Sequence, residues 1–280
     1  MKTIGFIDYF LDEWHANKYP EWIEQATNGA MKVAYAYGKK DSETGLDNAS
    51  WARGKGIELL DSIEEVVAKS DYLIVLSPDN PEFHEELAML PLQSGKPTYV
   101  DKTFAPDRQT AKLLIDTARQ SGTPMYSSSA LRYASEYTGA SREGIDAIVA
   151  AGPGQYENYS IHQIEPVVSL LGPEAERVMF IGTEQSPALL IGFSGGRQAE
   201  IRHFGGNAPF SLAVNYASGQ SAFLKAESNF FALFIQDLVR FFETGKPTVD
   251  PAETLAVITI IEYGLKAMKT PFEWVELPKG

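Results

Sequence analysis

Cysteine is absent from the 280 residues, which excludes disulfides, thiolate metal sites and thiol nucleophiles together. That absence fits a reducing cytoplasm, where disulfides are rare. Histidine is also scarce. The four present, His15, His84, His162 and His203, form no H-x-x-x-H pair, so no metal site is expected. Basic residues are in deficit, 24 against 37 acidic, and the net charge of -13 is broken by no Lys/Arg stripe. Such a field repels a phosphate backbone, so nucleic acid is not an expected partner. No apolar run approaches the ~20 residues that span a bilayer. The opening stretch Met1–Asp8 is interrupted by a charge too early for a signal peptide. These absences point to a cytoplasmic protein with no membrane partner.

What is present is ordinary globular composition, 44% apolar and 22% charged, at a length that favours two domains. As far as Tyr126, short apolar runs alternate with helical stretches. Strands are expected at Thr3–Asp8, Lys32–Tyr37, Tyr72–Leu76, Thr98–Val100 and Pro124–Tyr126. Helices are expected from Pro20, after Ser62 (a capping-box pattern, Ser62 to Glu65), from Asn80-Pro81 to about Leu92, and over Asp107–Gln120. Repeated β-α-β units of this length predict a Rossmann-type parallel sheet over residues 1–126. Residues 127–280 change style. Helices near Arg142–Ala150 and Pro166–Leu171 flank a strand around Tyr156–Ile161. Glycine-rich turns then separate strands at Val178–Gly182, Ala188–Phe193, Gln198–Phe204, Leu212–Tyr216 and Ala222–Ala226. Two helices, Phe230–Glu243 and Pro251–Met268, close the chain. The fold class is therefore α/β, with a C-terminal α+β domain built on a largely antiparallel sheet that reads as a meander. Strands such as Ala188–Phe193, apolar on both alternating sets, predict a homodimer or homotetramer packed through that sheet.

Ligands of doubly wound sheets sit beyond the carboxyl ends of the strands. The loops after Asp8, Tyr37, Leu76 and Val100 are thus the places to look, and they put Asp8, Lys39, Ser77, Asn80, His84 and Asp101 at the expected cofactor crevice. The first loop lacks a glycine-rich turn. It reads Asp8-Tyr9-Phe10-Leu11-Asp12-Glu13, and the one glycine nearby, Gly5, lies within the strand. Bulk and negative charge there oppose a pyrophosphate. After the second strand, Lys39-Lys40 suit either solvent or the 2′-phosphate of NADP. Lys102, after Thr98–Val100, reads either as a hydrogen-bond donor to a substrate hydroxyl or as a surface lysine. His162, in Ile161-His162-Gln163, reads either as a catalyst or as a structural histidine.

Four stretches resemble the glucose–fructose oxidoreductase and inositol dehydrogenase family of nicotinamide-dependent sugar and polyol dehydrogenases. They are the run from Asn80-Pro81 through Gly95-Lys96-Pro97 to Asp101-Lys102-Thr103; Leu131-Arg132-Tyr133; Asn158 through His162 to Leu171-Gly172; and Thr244-Gly245-Lys246-Pro247 with Pro251-Ala252-Glu253. The resemblance implies an NAD(P)-dependent oxidoreductase, with NADP favoured by the lysines. It would act on a sugar, polyol or similar hydroxylated small molecule. It places Lys102 and His162 on the reacting hydroxyl, with Asn158 orienting His162 and with His15 and Arg132 on the substrate. A free imidazole titrates near neutrality and a free lysine near ~10.4, so the proton falls to His162 and the hydroxyl's orientation to Lys102. Three departures from the family pattern stand out: the missing glycine-rich loop, Asp-Lys-Thr for Glu-Lys-Pro, and Asn158 for aspartate. They open an alternative, a non-catalytic binder of a sugar-like ligand or a regulatory protein on the same fold.

Overall fold

The computed structural model describes residues 1–279 and forms two compact units. Unit 1 comprises Met1–Ser128 and Phe234–Asp250; unit 2 comprises Ser129–Leu233 and the chain from Pro251 onward. The chain therefore returns to unit 1 after most of unit 2, where the sequence suggested one crossing at 126/127.

Unit 1 is built on six parallel strands: β1 (Lys2–Asp8), β2 (Met31–Gly38), β3 (Glu58–Leu59), β4 (Tyr72–Val75), β5 (Thr98–Val100) and β6 (Met125–Tyr126), in the order β3-β2-β1-β4-β5-β6. This is the strand order of a doubly wound dinucleotide fold. Its helices are α1 (Trp14–Ala26), α2 (Asn48–Lys55), α3 (Ile63–Lys69), α4 (His84–Gln93) and α5 (Arg108–Ser121). The central strands are apolar on both faces: Ile4, Phe6, Ile7, Leu73, Ile74 and Val75 have no exposed surface. Gly5 is a packing glycine, because a Cβ there would lie 2.4 Å from Val66 and Ser70 at the end of α3. α1 begins at Trp14 with Pro20 in its interior, not at Pro20 as the proline suggested. The acceptor that starts it is Glu13, described below.

Unit 2 contains α6 (Ser135–Thr138), β7 (Ile145–Pro153), α7 (Tyr156–Leu171), β8 (Ala175–Phe180), β9 (Ala188–Phe193), β10 (Gln198–Phe204), β11 (Ser211–Tyr216) and β12 (Ser221–Lys225). α8 (Phe230–Thr244) leads back into unit 1, and α9 (Pro251–Ala267) with β13 (Val275–Glu276) completes unit 2. Within unit 1, α8 stacks Phe242 on Tyr72 at 4.9 Å and sets Phe234 against Tyr19 and Tyr99 at 5.7 and 5.3 Å. Phe241 meets Tyr126 at 4.9 Å.

The second sheet runs β12-β11-β7-β10-β9-β8-β13. It is not a simple meander, because β7 lies between β11 and β10 and pairs with β10 in parallel. Two expectations exchange places here. Residues read as a helix near 142–150 form β7, and those read as a strand near 156–161 open α7. Alanine-rich β7 has helical propensity, but pairing on both edges overrides it. In α7 the buried residues Tyr156, Ser160, Ile161, Ile164, Val167, Val168 and Leu171 keep a helical period through Pro166. One face of the sheet stays open, with Phe223, Ala213, Val149, Glu200, Leu190 and Met179 in register across it.

Candidate functional site

In unit 1 the crevice at the carboxyl ends of β1, β4 and β5 is lined by acids. Asp8 and Asp101 end or follow β1 and β5, and each is only 1% exposed. Asp8 Oδ1 accepts from the Tyr9 amide at 2.7 Å, and Asp101 Oδ1 from the Tyr99 hydroxyl at 2.9 Å. The second oxygen of each is buried without a hydrogen-bond partner. Burial, followed by the charge of Glu13, pushes the Asp8 carboxyl well above its ordinary range. His15 joins them, its Nδ1 2.9 Å from Glu13 and its Nε2 4.0 Å from Asp101. Burial opposes charge on this imidazole, but Asp101 and the Glu13 hydrogen bond outweigh it and raise its pKa. Lys102 is half-buried, and its Nζ donates to the Pro78 carbonyl at 3.1 Å.

The Asp8 shift has a testable sign. A carboxyl with a raised folded-state pKa favours folding most in acid, where it is protonated in both states. That advantage is lost as pH rises through the unfolded value of ~3.9 and on to the higher folded value. Asp8→Asn should therefore raise Tm at pH 7, with the difference shrinking towards zero near pH 4. Thermal melts of both chains across that range check it, and a gain that grew in acid would refute it.

Other residues read as cofactor contacts have other work. His84 has no exposed surface; its ring nitrogens lie 2.6 Å from the Leu76 carbonyl and 3.0 Å from that of Phe104. Burial holds its pKa below the ordinary histidine value, and it braces the β4 and β5 loops from inside. Ser77 is buried at φ +81°, its hydroxyl on the Asn80 carbonyl at 3.0 Å. The Asn80 side chain is half-buried and turns to Glu82. Lys39 is ion-paired with Glu86, and Lys40 with Glu43 at 2.9 Å. The lysines also flank a stacked pair, Tyr9 on Phe83 at 4.0 Å. Neither is the free cation that an NADP preference needs.

The β1–α1 turn decides whether a dinucleotide fits. In this fold the pyrophosphate rests on backbone amides at the start of α1. Here the Glu13 carboxylate caps α1, accepting from the His15 amide at 2.8 Å and from the Ala16 amide. The Leu11 amide donates to Asn48 Oδ1 at 3.0 Å and the Glu13 amide to the Leu11 carbonyl at 2.9 Å. With the amides engaged and an anion in place, the residues as they stand do not fit a pyrophosphate at this position.

In unit 2, His162 lies on α7, not at the end of a strand, because the segment read as that strand is helical. Its Nδ1 is 2.7 Å from the Ser129 hydroxyl, and its ring meets Tyr159 and Phe210 edge-on. The Ser129 amide in turn donates to Glu165. Asn158 stands exposed one turn before His162, so the ring's oriented nitrogen belongs to Ser129 and not to Asn158. Arg132 is committed to carboxylates, 2.6 Å from Glu253 and 3.8 Å from Glu165. Their charges outweigh the effect of burial and raise its pKa. The structure thus gathers Asp8, His15, His84, Asp101 and Lys102 in unit 1, and links His162 to Arg132 through Ser129 and Glu165 in unit 2. It leaves Asn158, Asn80 and Lys39 outside both groups. Reading the sequence counted Glu13 among the acids opposing a phosphate but missed its place as the cap of α1, and it missed Tyr99, Ser129 and Glu165. Only Glu13 left a signal, an acid at cap spacing before Ala16. Among the described residues no group of three or more His, Asp or Glu side chains could hold a metal ion, and no helix is long and apolar enough to cross a membrane.

No protein-family model matches the sequence, and no curated protein matches it. Solved structures do. The scyllo-inositol dehydrogenase from Lactobacillus casei, with bound NAD(H) and scyllo-inositol, superposes with a TM-score of 0.79 at 14% identity, covering 99% of each chain. GenD2 from gentamicin A biosynthesis, in complex with NAD, gives 0.76 at 15% identity, covering 100% of this chain and 97% of that one. A protein from Sinorhizobium meliloti 1021 assigned as a myo-inositol dehydrogenase gives 0.81 at 11% identity, covering 99% and 100%. At these identities the likeness establishes the fold. The chain has the two-part fold of the glucose–fructose oxidoreductase and inositol dehydrogenase family.

Proposed function

We propose that this protein is an oxidoreductase acting on the CH–OH group of a sugar, polyol or related hydroxylated small molecule, with a nicotinamide dinucleotide as a weakly held hydride acceptor. One observation carries the reading: nearly the whole chain shares the fold of a structure holding NAD(H) and scyllo-inositol. In this reading Lys102 donates to the substrate hydroxyl and holds its orientation. His162, turned by Ser129, takes the hydroxyl proton as the carbon is oxidised. The pairing of Lys39 and Lys40 removes the reason to favour NADP, so NADH and NADPH should bind about equally.

A second reading, a non-catalytic protein that binds a sugar-like ligand, is favoured by Glu13 capping α1 where the fold's pyrophosphate would rest. Fluorescence titration of the full chain with NADH and NADPH, followed by turnover assays on inositols and other polyols, separates the two. Turnover with either dinucleotide supports the oxidoreductase; polyol binding without turnover replaces it with the binder.

The open sheet face supports a homodimer or homotetramer. Val149 at 46% and Phe223 at 84% exposure stand on it in register with Leu190 and Met179. Light scattering at micromolar concentration should give a mass of at least two chains, and a monomer would sink the proposal. The cysteine-free composition is in keeping with the cytoplasm.

A further inference from the structure

We infer that Glu13 is a built-in occupant of the anion seat this fold offers a dinucleotide, so that a pyrophosphate binds unit 1 only by competing with the chain's own carboxylate. A helix start presents amides that no intrahelical carbonyl can satisfy, and an anion there is stabilised by both hydrogen bonds and the helix dipole. In α1 the amides of His15 and Ala16 both donate to the Glu13 carboxylate. This carboxylate does what a phosphate oxygen would do, with the same sign of charge.

The surrounding chain holds Glu13 in that pose. Its Oε2 also receives His15 Nδ1 at 2.9 Å. The preceding Asp12 is tied down on both oxygens, by the Leu46 amide at 2.7 Å and by Asn17 at 2.8 Å. Asn48 then joins the two loops, taking the Leu11 amide and donating to the Gly38 and Lys40 carbonyls at 3.2 and 2.8 Å. The turn is a closed hydrogen-bonded structure, not a glycine loop that has merely lost its glycines. A phosphate approaching it meets a like charge and finds the Leu11, Glu13, His15 and Ala16 amides already engaged, and each effect alone weakens binding several-fold.

The inference concerns affinity and does not require turnover, so it stands or falls apart from the proposed activity. The test compares the full-length wild-type chain with Glu13→Gln, Glu13→Ala and a charge-matched control, Glu24→Gln, exposed on the same helix. NADH and NADPH binding is followed by fluorescence and inorganic pyrophosphate binding by calorimetry, with circular dichroism confirming that each variant is folded. Glu13→Gln keeps an acceptor at the cap and guards against loss of the helix start. We expect both Glu13 variants to bind dinucleotide and pyrophosphate roughly tenfold or more tightly than wild type, and the control to match wild type. Equal or weaker binding by folded Glu13 variants overturns the inference. So does failure of every chain to bind, since removing the occupant would then have opened no seat.

Discussion

Replacing His162 by alanine lowers turnover of a hydroxylated substrate by roughly two to four orders of magnitude, the usual share of a positioned acid–base group. The expectation rests on how the ring is held. Its Nδ1 faces the Ser129 hydroxyl at 2.7 Å, a contact that fixes how the imidazole is turned. Ser129 is fixed through its own amide, bound to the nearly buried Glu165. Ser129→Ala should then cost less than His162→Ala and should displace the pH–rate profile, because it frees the ring's tautomer without removing the base. Asn158→Ala should leave both rate and profile unchanged. Steady-state kinetics of the three variants across pH 5–9 decide the matter. A fully active His162→Ala chain, or an Asn158→Ala chain as damaged as His162→Ala, would end this assignment.

Arg132→Leu should destabilise the protein rather than weaken substrate binding. The guanidinium is 10% exposed and sits between Glu165 and Glu253, themselves 4% and 17% exposed. Removing one partner of a buried ion pair strands the others, which typically costs about 3–5 kcal/mol. For a protein of this size that is a fall in Tm of roughly 10 °C. Glu165 also holds Ser129, so its release should reach His162 and lower turnover as a secondary effect. Were Arg132 a substrate ligand, as the family resemblance implied, the variant would keep its Tm and raise KM alone. Denaturation and kinetics on the same preparation distinguish the outcomes.

What could be read in advance follows from how local each signal is. The strands of the first sheet were legible because burial on both faces writes an unbroken apolar run, as in Tyr72–Val75. The strands bounded by glycine turns, Ala188–Phe193 and Gln198–Phe204, emerge with the limits their turns set. β7 and α7 were exchanged because alanine propensity in one and an apolar cluster at 156–161 in the other are short-range cues. The deciding facts were pairing with β10 and β11 and a helical period carried past Pro166. The candidate site divides in the same way. The placement of Lys102 after β5 follows from topology, and the hostility of the β1–α1 turn to phosphate from its acids. That Glu13 would fold onto the amides, that Glu86 would take Lys39, and that Ser129 would face His162 from 33 residues away depend on tertiary geometry. No sequence window contains that geometry.

The return of α8 has a consequence for synthesis. The rings of Tyr19, Tyr72, Tyr99 and Tyr126 each pack against Phe234, Phe241 or Phe242. A nascent chain that has just released its sixth strand still lacks the aromatic lid for that layer, and more than a hundred residues must follow before the ribosome supplies it. At typical translation rates of about 5–20 residues per second, the wait lasts several seconds or more. During that interval the first half is a sheet with an oily, uncovered flank, the kind of intermediate that chaperones recognise. Clipping the polypeptide after residue 128 would make that transient permanent, and the fragment should be recovered as aggregate unless the 234–250 segment is supplied with it.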